Sequence, residues 1–245
     1  MKQLLFATLF TAGILSAQQW QWPDKPKNIT ALPSTTAGRD LQRVMFGYTG
    51  ALGVRCTYCH VGEEGKDFST FDFVSDAKPA KNKARMMIKM VKEINGKYLA
   101  DFHSDGSAGI TVNCQTCHSG KPTPITLEDK LKQTYDAAGI DSVIRQYRTL
   151  RDQFYGGNTY NFKEGTLLRL ADKIAADSTR MKDAMAVVQL NIEVYPSFAF
   201  SFTHLASWYE EMGNIPAAVE QYQKALAVNP KNEMIKKQLD RLQKK

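Results

Sequence analysis

Apart from Cys56, Cys59, Cys114 and Cys117, the 245-residue chain contains no cysteine. None is therefore left over for a structural disulfide. Histidine is equally scarce: of His60, His103, His118 and His204, two directly follow a cysteine pair. After residue 17, no run approaches the roughly 20 apolar residues that a membrane helix needs. A strong charge of one sign is also missing. The formal net charge is +7, and without Lys2 it spreads evenly, +3 on residues 18–130 and +3 on the rest. So mild a balance gives no support to a nucleic-acid partner.

The N-terminus does have a pattern. Met1-Lys2, an apolar run from Leu4 to Leu15 and the small pair Ser16-Ala17 have the layout of a secretory signal peptide, with cleavage expected near Ala17. The alternative is an uncleaved N-terminal membrane anchor. The expected location is periplasmic, or otherwise exported.

Both cysteine pairs read Cys-x-x-Cys-His, as Cys56-Thr-Tyr-Cys59-His60 and Cys114-Gln-Thr-Cys117-His118. A thioredoxin-like redox pair needs no histidine, and a structural zinc site needs four ligands in one small module. Neither accounts for His60 and His118. In a c-type haem, two thiols separated by two residues add to the vinyl groups and the next histidine turns its imidazole onto the iron. The expected cofactors are therefore two haem c, with Cys56, Cys59, Cys114 and Cys117 as thioether attachments and His60 and His118 as axial ligands.

The second axial position decides what such an iron does: a thioether closes the site and raises the potential, and an open position invites small-molecule chemistry. Gly38 to Leu52 reads as a helix with Leu41, Met45, Tyr48 and Leu52 on one face. Pro79 to Tyr98 reads as a longer one, with Met87 in line with Val91, Ile94 and Tyr98 and a separate pair Met86 and Met90. Periodicity favours Met87, with Met86 and Met90 as the alternatives, and a methionine that simply packs in the core is the plainer reading of any of them. His103 and His204 read as surface or packing residues.

The stretches LQRVMFGYTGALGVRCTYCHV, KARMMIKMVKEIN and TVNCQTCHSGKPTP, within residues 38–125, resemble the cytochrome c subunit of photosynthetic reaction centres. That family is built from units in which a Met-bearing helix precedes a Cys-x-x-Cys-His turn. The resemblance implies Met45 as the second ligand of the first haem and Met87 as that of the second. In the family, a histidine placed like His103 can ligate a different haem. The family's full subunit holds four haems and is often anchored by a lipidated N-terminal cysteine, whereas this sequence has motifs for two and no spare cysteine.

The second half carries a different pattern. Pro196 and Pro230 stand 34 residues apart, the period of tetratricopeptide (TPR) repeats. Phe202, Leu205, Ala206, Tyr209, Ala218, Tyr222 and Ala225 occupy that repeat's packing positions. An upstream copy over about 165–196 fits at Leu168, Ala171, Ala184 and Val188, and fits poorly at Asp172 and Asn191. Glu233 to Lys245 suits a capping helix, Ser142 to Phe154 another, and Gly156-Gly157-Asn158 a break. Leu127 to Ala138 reads as a connecting helix, which puts the boundary around residues 126–140.

The expected fold is mainly α: a signal peptide over 1–17, a dihaem multihaem-cytochrome-type domain with little regular sheet over 18–130, and a TPR-like α-solenoid over 141–245. The expected function is electron transfer without bond-making at iron, so the chain is not an enzyme. A dihaem peroxidase, and a redox-sensing scaffold whose repeats bind a partner, are the rival readings. Redox partner proteins, a membrane complex among them, are the expected partners, docked through the repeats or through the basic run Lys78, Lys81, Lys83, Arg85, Lys89, Lys92 and Lys97. As a plainer reading, that run is a solvated helix face balanced by haem propionates.

Overall fold

The computed structural model describes residues 20–103 and 109–244. The signal-peptide expectation over 1–17 and the side chain of His103 lie outside the described residues. The fold is mainly α; among the described residues the only sheet-like pairing is an isolated antiparallel bridge between Val61 and Asp72. No helix among them is long and apolar enough to cross a membrane. The chain divides into two units between Thr116 and Cys117.

In the first unit, α1 (Gly38–Leu52) has the span that the periodicity predicts, and α2 (Pro79–Glu93) covers the first fifteen residues of the helix predicted over 79–98. Helix α1 stops because Gly53 adopts φ +63°, where a side chain is penalised, and Val54 N–H then donates back to Thr49 O at 3.1 Å. Helix α2 starts on Pro79, whose missing N–H costs nothing in a first turn, and runs on into a π-helical turn over Ile94–Tyr98. An aromatic group of Trp20, Trp22, Phe46, Phe68, Phe71 and Phe73 links the segment entering the unit, α1 and the 68–73 segment through edge-on contacts and one stacked pair. The short helix α3 (Cys114–His118) spans the divide.

The second unit is a succession of packed helices: α4 (Leu127–Phe154), α5 (Gly165–Ala175), α6 (Met181–Val194), α7 (Ala199–Glu211), α8 (Ile215–Val228) and α9 (Glu233–Gln243). The two helices expected over 127–138 and 142–154 form α4, which breaks at Gly139, with φ +72° and ψ −176°. Thr134 Oγ1 lies 2.5 Å from Gln146 Oε1. In a straight helix these residues would stand about 18 Å apart, so α4 folds back on itself at the glycine.

Helices α5, α7 and α9 begin at residues 165, 199 and 233, and α6 and α8 at 181 and 215, a recurrence of 34 residues. Each packs on its neighbours in the chain. Ala171, Ala184, Val188, Ala206, Ala218 and Ala225 are fully buried where helices approach closely. The two misfits to the repeat pattern have partners: Asp172 Oδ1 holds His204 Nε2 at 2.8 Å, and buried Asn191 Nδ2 donates to Ser201 Oγ at 2.8 Å. Asn232 caps α9 by accepting from Met234 and Ile235 N–H, and Arg241 of α9 pairs through both amino groups with Glu210 of α7.

Candidate haem-binding site

The first Cys-x-x-Cys-His motif follows directly on the end of α1. Cys56–Tyr58 form a single 3₁₀ turn in which Cys59 N–H and His60 N–H both donate to Cys56 O, at 3.2 and 2.9 Å. Both thiols and the imidazole therefore belong to one short turn. The chain then returns: Asp72 N–H donates to Val61 O at 2.9 Å, and Phe73 lies edge-on to the His60 ring with centroids 5.0 Å apart. Gly62 permits this return, since a Cβ there would stand 2.5 Å from the Phe71 ring.

His60 Nδ1 is buried and makes no hydrogen bond. Burial first, and then the positive charges of Lys81 and Arg85, pull the His60 pKa down to about 4. At neutral pH the ring is therefore an uncharged base, the form that can ligate a metal. Burial and the neighbouring Cys56 push the Cys59 thiol up.

Sequence reasoning missed the device that holds this wall in place. Lys81 is almost fully buried, and its ammonium donates to Phe73 O, Val74 O and Ser75 O at 2.9, 3.1 and 2.8 Å. Asp76 Oδ1 faces Lys81 Nζ at 3.1 Å and Arg85 Nη2 at 2.9 Å, and Asn28 Nδ2 bridges Val74 O and Asp76. Arg85, then Lys81 and Asn28, hold the Asp76 carboxyl well below the usual carboxylate range. Two cations of the basic run are thus internal ties and not a solvated face; Lys83, Lys89 and Lys92 remain exposed.

The second motif is held from both sides. Asn95, in the π turn after α2, clasps the incoming backbone, donating to Val112 O at 2.8 Å and accepting from Val112 N–H at 2.9 Å. Asn113 and Thr116 then cap α3 reciprocally, Thr116 N–H to Asn113 Oδ1 at 3.1 Å and Asn113 N–H to Thr116 Oγ1 at 3.0 Å. Burial and then Cys114 push the Tyr48 hydroxyl up to about 12. Downstream, His118 Nδ1 lies 2.8 Å from Lys121 O. A carbonyl only accepts, so Nδ1 carries the proton and the Nε2 lone pair is left for a metal.

Met45 is half-buried on α1. On α2, Met87, Met90 and Met86 are exposed by 39%, 43% and 59%, while Lys81, Ala84, Arg85, Ile88 and Val91 turn inward. Met87 is the methionine nearest the covered side. His204, bonded to Asp172 and edge-on to Trp208 at 4.6 Å, serves packing within the helical unit. Among the described residues, no three His, Cys, Asp or Glu side chains converge as a zinc module would require.

The fit of these residues to a haem is tested by what the first unit lacks. Of the described chain's 25 buried apolar residues, only Leu41 and Ala51 lie in it, whereas ten of the fourteen large exposed ones do, Phe46, Met87, Met90 and Tyr98 among them. A unit of this size ordinarily buries most of its apolar side chains. Flat apolar groups next to the two cysteine turns would supply the missing interior, so the residues fit.

Comparison with known proteins agrees with this geometry. Residues 28–126 and 54–148 match the family described as photosynthetic reaction centre cytochrome C subunit. The photosynthetic reaction center cytochrome c subunit of Rubrivivax gelatinosus is 32% identical over 110 residues, 39% of this chain and 28% of its own length. Cytochrome c-554 of Chloroflexus aurantiacus is 30% identical over 112 residues, 45% of this chain and 24% of its own. The reaction center cytochrome c subunit of Roseobacter denitrificans is 41% identical over 87 residues, 35% and 22% respectively. The chain thus spans about a quarter of the length of each of these relatives. It carries a reaction-centre cytochrome c-like domain.

Proposed function

We propose that this chain is an exported electron carrier with two covalently bound haem c groups in its reaction-centre cytochrome c-like part, residues 18–130, and a TPR-like array over 141–245. The observation that carries the reading is the first unit's missing interior beside two Cys-x-x-Cys-His turns. Cys56 and Cys59 tether one group and Cys114 and Cys117 the other. His60 and Met45 ligate the first iron; His118 and Met87 ligate the second. Haem c would supply a one-electron couple whose potential the axial thioether, burial and nearby charge adjust.

The protein's own task is then to hold ligands and exclude water. Phe73 walls the His60 ring, the neutral imidazole is kept by burial and by Lys81 and Arg85, and the Asn95 clasp sets the register of α3. The 34-residue recurrence of the helices supports the TPR-like reading, and we assign to that array the docking of a redox partner at the exported face of a membrane. No step at either iron makes or breaks a substrate bond.

A pyridine haemochrome assay on the purified chain should return two haems per polypeptide. Met45→Ala and Met87→Ala should each remove one of two methionine–iron charge-transfer contributions in the near infrared. A single haem per chain, or loss of that band in Met86→Ala or Met90→Ala instead, would overturn the respective assignment.

A further inference from the structure

The two histidines of the haem motifs are held differently. His60 Nδ1 has no hydrogen-bond partner, whereas His118 Nδ1 donates to Lys121 O at 2.8 Å. That carbonyl sits at the end of a tight turn: Ser119 and Gly120 both take positive φ, +48° and +79°, and Lys121 N–H donates to His118 O at 2.9 Å. A turn of this kind is soft by itself, and the Lys121 side chain secures it. Its ammonium donates to Thr159 O and lies over the Tyr160 ring, 4.6 Å from the centroid. Gly120 approaches the same segment, since a Cβ there would stand 3.3 Å from Thr159 Oγ1.

The anchor is itself rigid. Tyr160 packs edge-on against Phe154 at the end of α4 and against buried Phe162, with centroids 5.6 and 6.3 Å apart. Phe162 O accepts from the Tyr195 hydroxyl, which stands just after α6. A continuous set of contacts therefore runs from the helical core, through Tyr160 and Lys121, to the His118 ring.

We infer that Lys121 is a positioning residue for the His118-ligated haem, tying the orientation and donor strength of that imidazole to the TPR-like array. The inference rests on the proposed role of His118 as an iron ligand. A ligating histidine whose Nδ1–H is hydrogen-bonded is a stronger donor and favours the oxidised metal. The second haem is thus harder to reduce than its ligand set alone would make it. Displacing the 159–160 segment would relax this hold and raise the midpoint.

The test uses the holoprotein and the variants Lys121→Met, Lys121→Arg, Tyr160→Leu and Tyr160→Phe, followed by spectroelectrochemistry and by exchange of the axial-histidine ring N–H in NMR. Tyr160→Leu leaves the charge unchanged. It should raise the midpoint of one haem, by about tenfold in its reduction equilibrium, which is 59 mV for one electron, and speed that histidine's N–H exchange. Lys121→Met should speed the same exchange. Lys121→Arg and Tyr160→Phe, which keep the cation and the ring face, should match the parent protein. A purely electrostatic role of Lys121 predicts the opposite sign, a lowered midpoint in Lys121→Met with no change in Tyr160→Leu or in exchange, and that result overturns the inference. Retention of the helical far-UV signal in Tyr160→Leu separates the effect from unfolding, and Lys121→Met tests the same tie if that variant does not fold. A haemochrome count of one per chain would instead point to failure of the two-haem reading.

Discussion

Replacing Lys81 with methionine isolates the tie that holds the wall over the first motif. Methionine keeps most of the aliphatic stem and removes the ammonium, leaving Phe73 O and Ser75 O without that donor and Val74 O with Asn28 Nδ2 alone. At about 1 kcal/mol for each of the three lost hydrogen bonds, the loss is roughly 3 kcal/mol. For a unit of about 100 residues each kcal/mol moves the transition by about 4–8 °C, so the first unit should melt roughly 12–24 °C lower. The two units can be watched separately in the holoprotein, through the haem Soret band for the first and far-UV ellipticity, dominated by α4 to α9, for the second. The Soret transition should fall and the helical one should stay. A Lys81→Met protein within about 0.5 kcal/mol of the parent, the range of ordinary surface changes, would mean that the three carbonyls are satisfied by water and that Lys81 does not hold the wall.

Further expectations follow from other positions. Gly139→Ala forces a side chain into a backbone region that is essentially glycine's alone, and should cost the helical unit about 1–3 kcal/mol in urea unfolding; no loss would mean that α4 can straighten. Gly62→Ala must displace the Phe71 ring, with an overpacking cost of about 1–3 kcal/mol seen in the Soret melt. The Asn191→Leu, Ser201→Ala pair removes a buried polar contact from an apolar interior and should leave stability unchanged or higher, whereas Asn191→Leu alone should lower it. Because Asp76 is held below the usual carboxylate range, its contribution is present above the ordinary carboxylate pKa near 4 and lost as the pH falls further. Acid titration of the tryptophan fluorescence of a Trp208→Phe protein, which leaves Trp20 and Trp22 in the first unit, should show a transition below pH 4 that Asp76→Asn weakens.

Much of this molecule is legible wherever periodicity governs it. The limits of α1, the start of α2, the two halves of α4 and the small buried residues of α5 to α8 follow from repeating patterns, because a helix shows one face to its neighbours every 3.6 residues. The Cys-x-x-Cys-His turns are legible because their chemistry fixes their spacing. What periodicity does not carry is contact with irregular backbone. Lys81 and Arg85 look like any charged pair on a helix surface until the 73–76 segment folds over them. Gly62 looks like a loop glycine until Phe71 returns against it. Asp172 and Asn191 break the repeat pattern because each answers a polar partner ten or more residues away, and Lys121 gains its role only through Thr159 and Tyr160.

The contrast between a first unit with two buried apolar residues and a second unit with twenty-three has a consequence for how the protein is made. The helical unit has what it needs to fold as soon as its chain is complete. On the proposed function the first unit would obtain its interior from outside the polypeptide, and haem attachment would be its folding step. An unloaded chain would present a finished helical body joined to an open, cleavable segment. Proteases would therefore remove failed copies, and loaded molecules would accumulate.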